Sequence, residues 1–382
     1  SLHLTFDERH IKDCNVYILT VPTPIDNLNQ PDLRVLGSAT ELVARNISNQ
    51  DIIIFESTVY PTATDTFCAP IIEDISGMKY LKGDDTEDDG FYCAYSPERI
   101  NPGDKENPLQ SIKKIVSGST PQTLEKVDRL YSSIIDAGTV RAKSIEDAEA
   151  AKVIENTQRD LNIALINEFA LIFNKLSIDT EEVLRLASTK WNFIPMKPGL
   201  VGGHCIGVDP YYLAHKAIEI DYYPELILAG RKLNNRMGKH IAQQVIKIMG
   251  KKAISAIDSE VLILGFTFKE NCSDIRNTKV LDIIEELKKH NCNVSIYDPL
   301  ADEKDVLDEY NICLIDEPEI KKYDATIIAV DHDHFRKIGL DKIKSYNKDN
   351  AVIYDVKYSF PKNEVDGRLW LYPFFLIRRI ME

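Results

Sequence analysis

Two uninterrupted apolar runs constrain this fold most: Ile52-Ile-Ile-Phe55, inside Asp51–Val59, and Val261-Leu-Ile-Leu264, inside Val261–Gly265. Apolar residues at every position, not alternate ones, mark strands covered on both faces. Such strands belong to parallel sheets flanked by helices. Asn15–Val21 (NVYILTV) is a third run of this buried type. Helical patterns separate the runs, from Pro31-Asp32 to about Asn46 and from Pro61 to about Ser76. Phe91–Tyr95, Lys113–Ser117 and Thr139–Lys143 continue the strand series, with a helix from Pro121 to Ile135. Lys79–Asp89 is acidic and irregular, a surface loop. The last third alternates again: strand Val261–Gly265, a helix over Thr278–His290, then strands Val294–Tyr297, Ala325–Val330 and Val352–Val356. Strand–helix alternation at both ends predicts two doubly wound domains.

Between them, Glu146 to about Lys175 contains neither Gly nor Pro, and Val153, Leu161, Leu165 and Phe169 recur on one side. A second long helix is expected from Pro224 to Met249. Two such helices read as a connecting domain and a homodimer interface. The fold class is therefore α/β: two doubly wound, Rossmann-like domains (1–145 and 251–369) joined by a long-helix central domain (146–250). The tail, 370–382, has no assigned role.

A formal charge of -14 argues against a general nucleic-acid or membrane-surface binder, which needs basic patches. It leaves room for an anionic small ligand held by a few placed cations. The seven cysteines are scattered, odd in number and without a C-x-x-C pair, which suits reduced thiols in a cytoplasm. His204 and Cys205 are adjacent, but no second Cys/His cluster has metal-ligand spacing, so no metal site is expected. His332 and His334 read as solvated loop residues. The apolar tail is shorter than the roughly 20 residues a bilayer needs and is broken by Pro373, so no membrane contact is expected.

No G-x-G-x-x-G occurs, although a dinucleotide-binding domain opens on a strand and such a glycine finger. The first domain reads as the later part of that fold. Either the finger precedes Ser1, which this reading expects, or a dinucleotide is not bound in the usual way.

The richest segment for chemistry is Lys197-Pro-Gly-Leu-Val-Gly-Gly-His-Cys-Ile-Gly-Val-Asp209. It sets Cys205 in a glycine-rich loop with a carboxylate four residues later. A thiol so held can be presented to a substrate as a nucleophile; otherwise it is a small buried hydrophobe. Lys152 and Asn156 are four apart and share a helix face. Together they either donate to a developing oxyanion or face solvent as a surface pair. Arg231 and Asn235 repeat that spacing and either meet phosphate or sugar hydroxyls or face water. Tyr95-Ser-Pro-Glu-Arg-Ile-Asn-Pro-Gly103 follows a strand, so Glu98 and Arg99 are a candidate base and anion clamp, or parts of a proline-dictated turn. Thr23, Ser57 and Thr58 end strands, where hydroxyls suit cofactor or water contacts or helix capping. Lys269 and Arg276 are cations on the rim after the first strand of the last domain.

In this order, VPTP, ESTVYP, YSPERINPGD, AEAAKVIENTQRD, KPGLVGGHCIGVDPYYL, GFTFKENCSDIRN and YDP resemble the UDP-glucose/GDP-mannose dehydrogenase family, from about residue 1 to Leu369. GLVGGHCIGVDPYYLAHKA is most similar to the branch acting on UDP-N-acetylglucosamine or its epimers. The resemblance implies a four-electron oxidation at C6 of a UDP-hexose by two NAD, through a thiohemiacetal and then a thioester on Cys205, in surface-polysaccharide synthesis. It implies that Lys152 stabilises the oxyanion or moves protons, with Asn156 beside it. Asp209 and Glu98 would manage water and protons, and Thr58 would order that water. It further implies that Gly202 and Gly203 admit the sugar, and that Arg231, Lys269 and Lys357 meet the UDP moiety. Thr23, Thr58 and Arg276 would contact NAD. UDP-N-acetylmannosamine, UDP-N-acetylgalactosamine and UDP-glucose stand as alternative substrates. A two-electron hydroxyacid dehydrogenase, with no use for Cys205, and a non-catalytic nucleotide-sugar binder are the readings outside this chemistry.

Overall fold

The computed structural model describes residues 3–84, 89–100 and 107–369. The tail after Leu369, part of the acidic loop and the end of the Tyr95–Gly103 segment lie outside the described residues. By its contacts the chain forms two compact units. One comprises the chain up to Gln158 together with Val208–Pro224; the other comprises Arg159–Gly207 and the chain from Glu225. The central segment is thus divided between the two.

In the first unit, β1 (Val16–Leu19), α1 (Arg34–Ala44), β2 (Ile52–Phe55), α2 (Ala69–Ser76) and β3 (Tyr92–Tyr95) build a parallel sheet in the order β1–β2–β3. The triple isoleucine explains the layering. Ile53 and Phe55 pack with Leu36 of α1 and Ile72 of α2, while Ile52 and Ile54 pack on the other face with Val127 and Tyr131. Those last two belong to α3 (Pro121–Ser132), which connects β4 (Lys114–Val116) to its parallel partner β5 (Thr139–Arg141). Ser117 and Ser119 donate backbone bonds to the carbonyls of Tyr95 and Cys93, at 3.1 and 2.8 Å, joining that pair to β3. The reading of Asn15–Val21 as covered on both faces needs correcting. Tyr17 and Leu19 are buried, but Val16 and Ile18 are 40% and 45% exposed, because β1 is an edge strand.

A helix α4 (Ile145–Leu176) of 32 residues runs from the first unit into the second, uninterrupted as its lack of Gly and Pro permits. Of its expected apolar face, Val153 is buried and Leu161 and Phe169 partly so, but polar residues share the buried side. Leu165 is 49% exposed, whereas Asp160, Asn167 and Asn174 are buried. Polar groups can occupy such a face when each finds a partner. Asp160 pairs with Arg231, Asn167 bonds Gly199 in both directions, and Asn174 donates to the Leu369 carbonyl.

After α5 (Thr180–Ala187), α6 (Asp209–Glu219) returns to the first unit. The second long helix is two helices, α7 (Glu225–Asn235) and α8 (Met237–Lys251). The break falls where Asn234 and Asn235 use their side chains on Asp160 and Arg231, and Arg236 N bonds back only three residues to Leu233 O.

The second unit then carries β6 (Glu260–Leu264), α9 (Val280–Lys289), β7 (Asn293–Tyr297), α10 (Glu303–Tyr310), β8 (Tyr323–Ile328), α11 (Asp333–Tyr346), β9 (Asn347–Asp355) and β10 (Gly367–Arg368). All strands are parallel, in the order β10–β9–β8–β6–β7. The connections reverse direction between β6 and β8, and in such sheets ligands bind outside the carboxyl ends at that reversal. Val261, Ile263, Ala325 and Ile327 form the core with Met237, Ile241 and Val245 of α8. His332, read as solvated, follows β8 at the reversal and is wholly buried. Asp298, Thr267 and the Asn271 amide supply the polar partners that make its burial affordable.

Candidate active site

Three of the expected residues come together in the first unit. Lys152 and Asn156 project from one face of α4 towards Asp209, the first residue of α6. Lys152 Nζ lies 3.8 Å from Asp209 Oδ2, and Asn156 Nδ2 donates to the same oxygen at 2.6 Å. Lys152 and Asn156 are not a solvent-facing pair: Lys152 is 3% exposed, Asn156 is partly buried, and the Asp209 they meet is 1% exposed. Burial pushes the Asp209 carboxyl up to about 6, against the opposing pull of the Lys152 ammonium and Asn156. The Glu98 charge also raises it, so Glu98 belongs to the same field.

The neighbours of this cluster are equally fixed. Arg99 is bidentate on Glu155, beside Asn156, and donates to the Lys113 carbonyl at 3.0 Å. That is a clamp between a loop and α4, not an open anion site. Thr23 Oγ1 donates to the Thr58 carbonyl at 2.7 Å, and Ser57 Oγ donates to the Val21 carbonyl at 2.6 Å. These hydroxyls tie the ends of β1 and β2 together and do not cap helices. Both stand at the carboxyl edge of the sheet, where an open α/β sheet takes a dinucleotide, and a hydroxyl that donates one bond has the chemistry to accept another.

Sequence reasoning missed three residues here. Tyr212 OH, fully buried, donates to the Thr23 carbonyl at 2.9 Å and docks α6 on the cofactor-side rim. Buried Lys114 bonds Glu56 at 3.0 Å and the Pro97 carbonyl at 3.2 Å, joining the ESTV and YSPER loops. Glu149, one turn before Lys152, accepts from Thr62 N, Thr64 N and Thr64 Oγ1 at 2.6, 2.9 and 2.6 Å. Burial raises its carboxyl to about 7, although all three donors oppose the shift. The i,i+3 spacing of Glu149 and Lys152 was the available signal.

In the second unit, Cys205 is partly buried in its glycine-rich loop and forms no disulfide. Its charge acts on Arg276, whose guanidinium bonds Asp274 at 3.0 and 2.6 Å, and His204 acts on Asp274. Gly202 and Gly203 serve packing: a Cβ at Gly202 would lie 2.7 Å from the Asn277 carbonyl, and one at Gly203 would lie 2.7 Å from the Phe268 ring. Gly203 also has φ +84°, so Gly203→Ala is expected to cost about 1–3 kcal/mol, read as a lower denaturant midpoint.

Arg231 does not face solvent. It is buried against Asp160 at 2.6 Å and donates to Asn235, which commits the guanidinium within the unit. Lys269 lies over the Phe268 ring at 5.4 Å, and Lys357 sits 3.8 Å from Glu270, both on loops at the carboxyl edge of the second sheet.

Family models match three segments: the NAD binding domain of the UDP-glucose/GDP-mannose dehydrogenase family over residues 1–135, its central domain over 146–236 and its UDP binding domain over 262–362. A UDP-N-acetyl-D-glucosamine 6-dehydrogenase of Salmonella typhi is 55% identical, covering 96% of this chain and 85% of the relative. A protein of the same name from Pseudomonas aeruginosa is 52% identical, covering 97% and 86%. Among solved structures, a UDP-D-ManNAc dehydrogenase from Pyrococcus horikoshii superposes with TM-score 0.82 at 29% identity, over 94% of this chain and 81% of that one.

Proposed function

The chain belongs to the UDP-glucose/GDP-mannose dehydrogenase family, and from that premise we propose that it oxidises the C6 hydroxyl of UDP-N-acetylglucosamine to the uronic acid. As a family member it is an NAD-dependent oxidoreductase. The choice of sugar rests on the two relatives above half identity that carry that activity in their names. The observation carrying the chemistry is the buried Lys152–Asp209–Asn156 cluster, four residues along the chain from Cys205.

When bound, NAD would supply the hydride acceptor for the two successive oxidations at C6. Asp209 Oδ2 receives the proton of the C6 hydroxyl, and Lys152 Nζ with Asn156 Nδ2 holds the oxygen as negative charge grows on it. Cys205 Sγ bonds to the carbon of the resulting aldehyde, forming a thiohemiacetal, and the same sulfur carries the thioester after the second oxidation. Thr58 orders the attacking water, and Glu98 or Asp209 accepts its proton. The C–S bond then breaks, the thiolate leaves and the carboxylate remains. Overall one alcohol and one water give one carboxylate while two NAD are reduced. Lys269 and Lys357 hold the UDP moiety, and Thr23, Ser57 and Arg276 serve the cofactor.

Two copies pair through α4, where Ile154, Leu165, Ile172 and Leu176 are exposed at spacings that keep them on one helix face. Sedimentation at micromolar concentration is expected to give twice the chain mass. The cytoplasm, where NAD and UDP-sugars are made, is the proposed location, and glycan assembly at the cell surface the proposed use of the product.

A substrate panel tests the assignment. kcat/KM is expected to be highest for UDP-N-acetylglucosamine, by about 10-fold or more over its manno and galacto epimers and UDP-glucose. A higher value for UDP-N-acetylmannosamine would move the chain to that branch.

A further inference from the structure

We propose that His332 is a positioning residue that fastens the Phe266–Asn271 loop into the conformation that receives the UDP moiety; this rests on the dehydrogenase reading. The imidazole is wholly buried after β8, at the strand-order reversal where ligands bind. Its Nδ1 accepts from Asn271 N at 3.0 Å, so that nitrogen carries no proton. Its Nε2 lies 3.1 Å from Asp298 Oδ2 and 3.1 Å from Thr267 Oγ1. Thr267 Oγ1 already donates to the Lys269 carbonyl at 3.0 Å, so Nε2–H is the donor to both. One ring thus joins the loops following β6, β7 and β8. Asn271 Oδ1 adds a bond from Asp333 N at 3.0 Å.

The labour divides cleanly. Asp298 holds the backbone at the start of the loop: its Oδ2 accepts from Phe266 N and Thr267 N at 2.6 and 3.0 Å. Its Oδ1 accepts from Leu300 N and Ala301 N at 2.8 and 3.2 Å. His332 reaches the far end, at Asn271. Lys269, a candidate for UDP, lies between the two anchors with its carbonyl tied through Thr267. Two fixed ends pre-organise a binding loop, and losing one restores the ordering cost at the moment of binding.

The test uses the full chain and UDP alone. His332→Leu removes both contacts, His332→Gln reaches only the Nε2 side, and His332→Asn keeps an acceptor where Nδ1 stands. Leu and Gln are expected to weaken UDP binding about tenfold and Asn less than threefold. Amide exchange should accelerate at Phe268–Asn271 in the Leu and Gln variants and stay unchanged at Phe266 and Thr267. Folded variants with unchanged UDP affinity would overturn the proposal, as would equal weakening in all three with exchange raised throughout the domain. If the Leu variant does not fold, the Gln and Asn pair makes the comparison. Failure of those two to fold would also contradict it, since Asp298 should hold the domain alone. A wild-type chain that does not bind UDP would instead overturn the dehydrogenase reading.

Discussion

Cys205→Ala is expected to lower uronate formation by on the order of 10⁴-fold or more, the loss typical of removing a covalent nucleophile. The variant should still bind UDP-N-acetylglucosamine, because no UDP contact is assigned to the thiol. It should also still carry out the first oxidation, whose oxygen is held by Lys152 and Asn156. The aldehyde then has no sulfur to receive it and is trappable with a hydroxylamine. A two-electron dehydrogenase would lose nothing on this substitution, so trapped aldehyde with NADH release limited to the first oxidation separates the two chemistries. Cys205→Ser is not a rescue, since an alkoxide leaves less readily than a thiolate.

Lys152→Ala is the second large effect, on the order of 10²–10³-fold in kcat with a smaller change in KM, as for a donor that acts on developing charge. It carries a stability signature as well. Lys152 and Asp209 are a buried pair, and removing one member of such a pair typically costs about 3–5 kcal/mol. The pH profile supplies the sign. Asp209 titrates near 6 when Lys152 is present and must be ionised to take a proton. Wild-type kcat/KM should therefore fall as pH drops below about 6 and stay flat above it. Without the ammonium, burial acts unopposed by that charge, and the acid limb should move to higher pH. For stability the sign is opposite. The folded pKa lies above the unfolded value of about 3.9, so the neutral carboxyl favours folding at low pH. That contribution is lost as pH rises through about 6.

Much of this architecture was legible because apolar continuity is a direct imprint of burial on two faces. Ile52–Phe55 and Val261–Leu264 fall in observed strands for that reason. The i,i+4 spacing of Lys152 and Asn156 likewise placed both on one side of an observed helix. Less visible was anything decided by partners distant in sequence. Leu165 and Asp160 exchange their expected surroundings because Arg231 and Asn234 offer Asp160 hydrogen bonds from 71 and 74 residues away. His332 is buried for a similar reason, 34 residues from Asp298. The α7–α8 break escaped the pattern since Asn234–Asn235 looks like any polar helix surface until its partners are known. The packing demand at Gly202 and Gly203, where a Cβ would meet the Asn277 carbonyl and the Phe268 ring, was likewise hidden until those distant partners were known. Helix α11 was hidden by Gly339, whose φ of 78° interrupts its periodicity.

The central claim is a four-electron oxidation through a sulfur-bound intermediate, and its most direct test is the number of NADH released per UDP-N-acetylglucosamine consumed. The account predicts two, with the uronic acid as the only sugar product. One NADH per sugar, with an aldehyde or ketone as the final product, would contradict it.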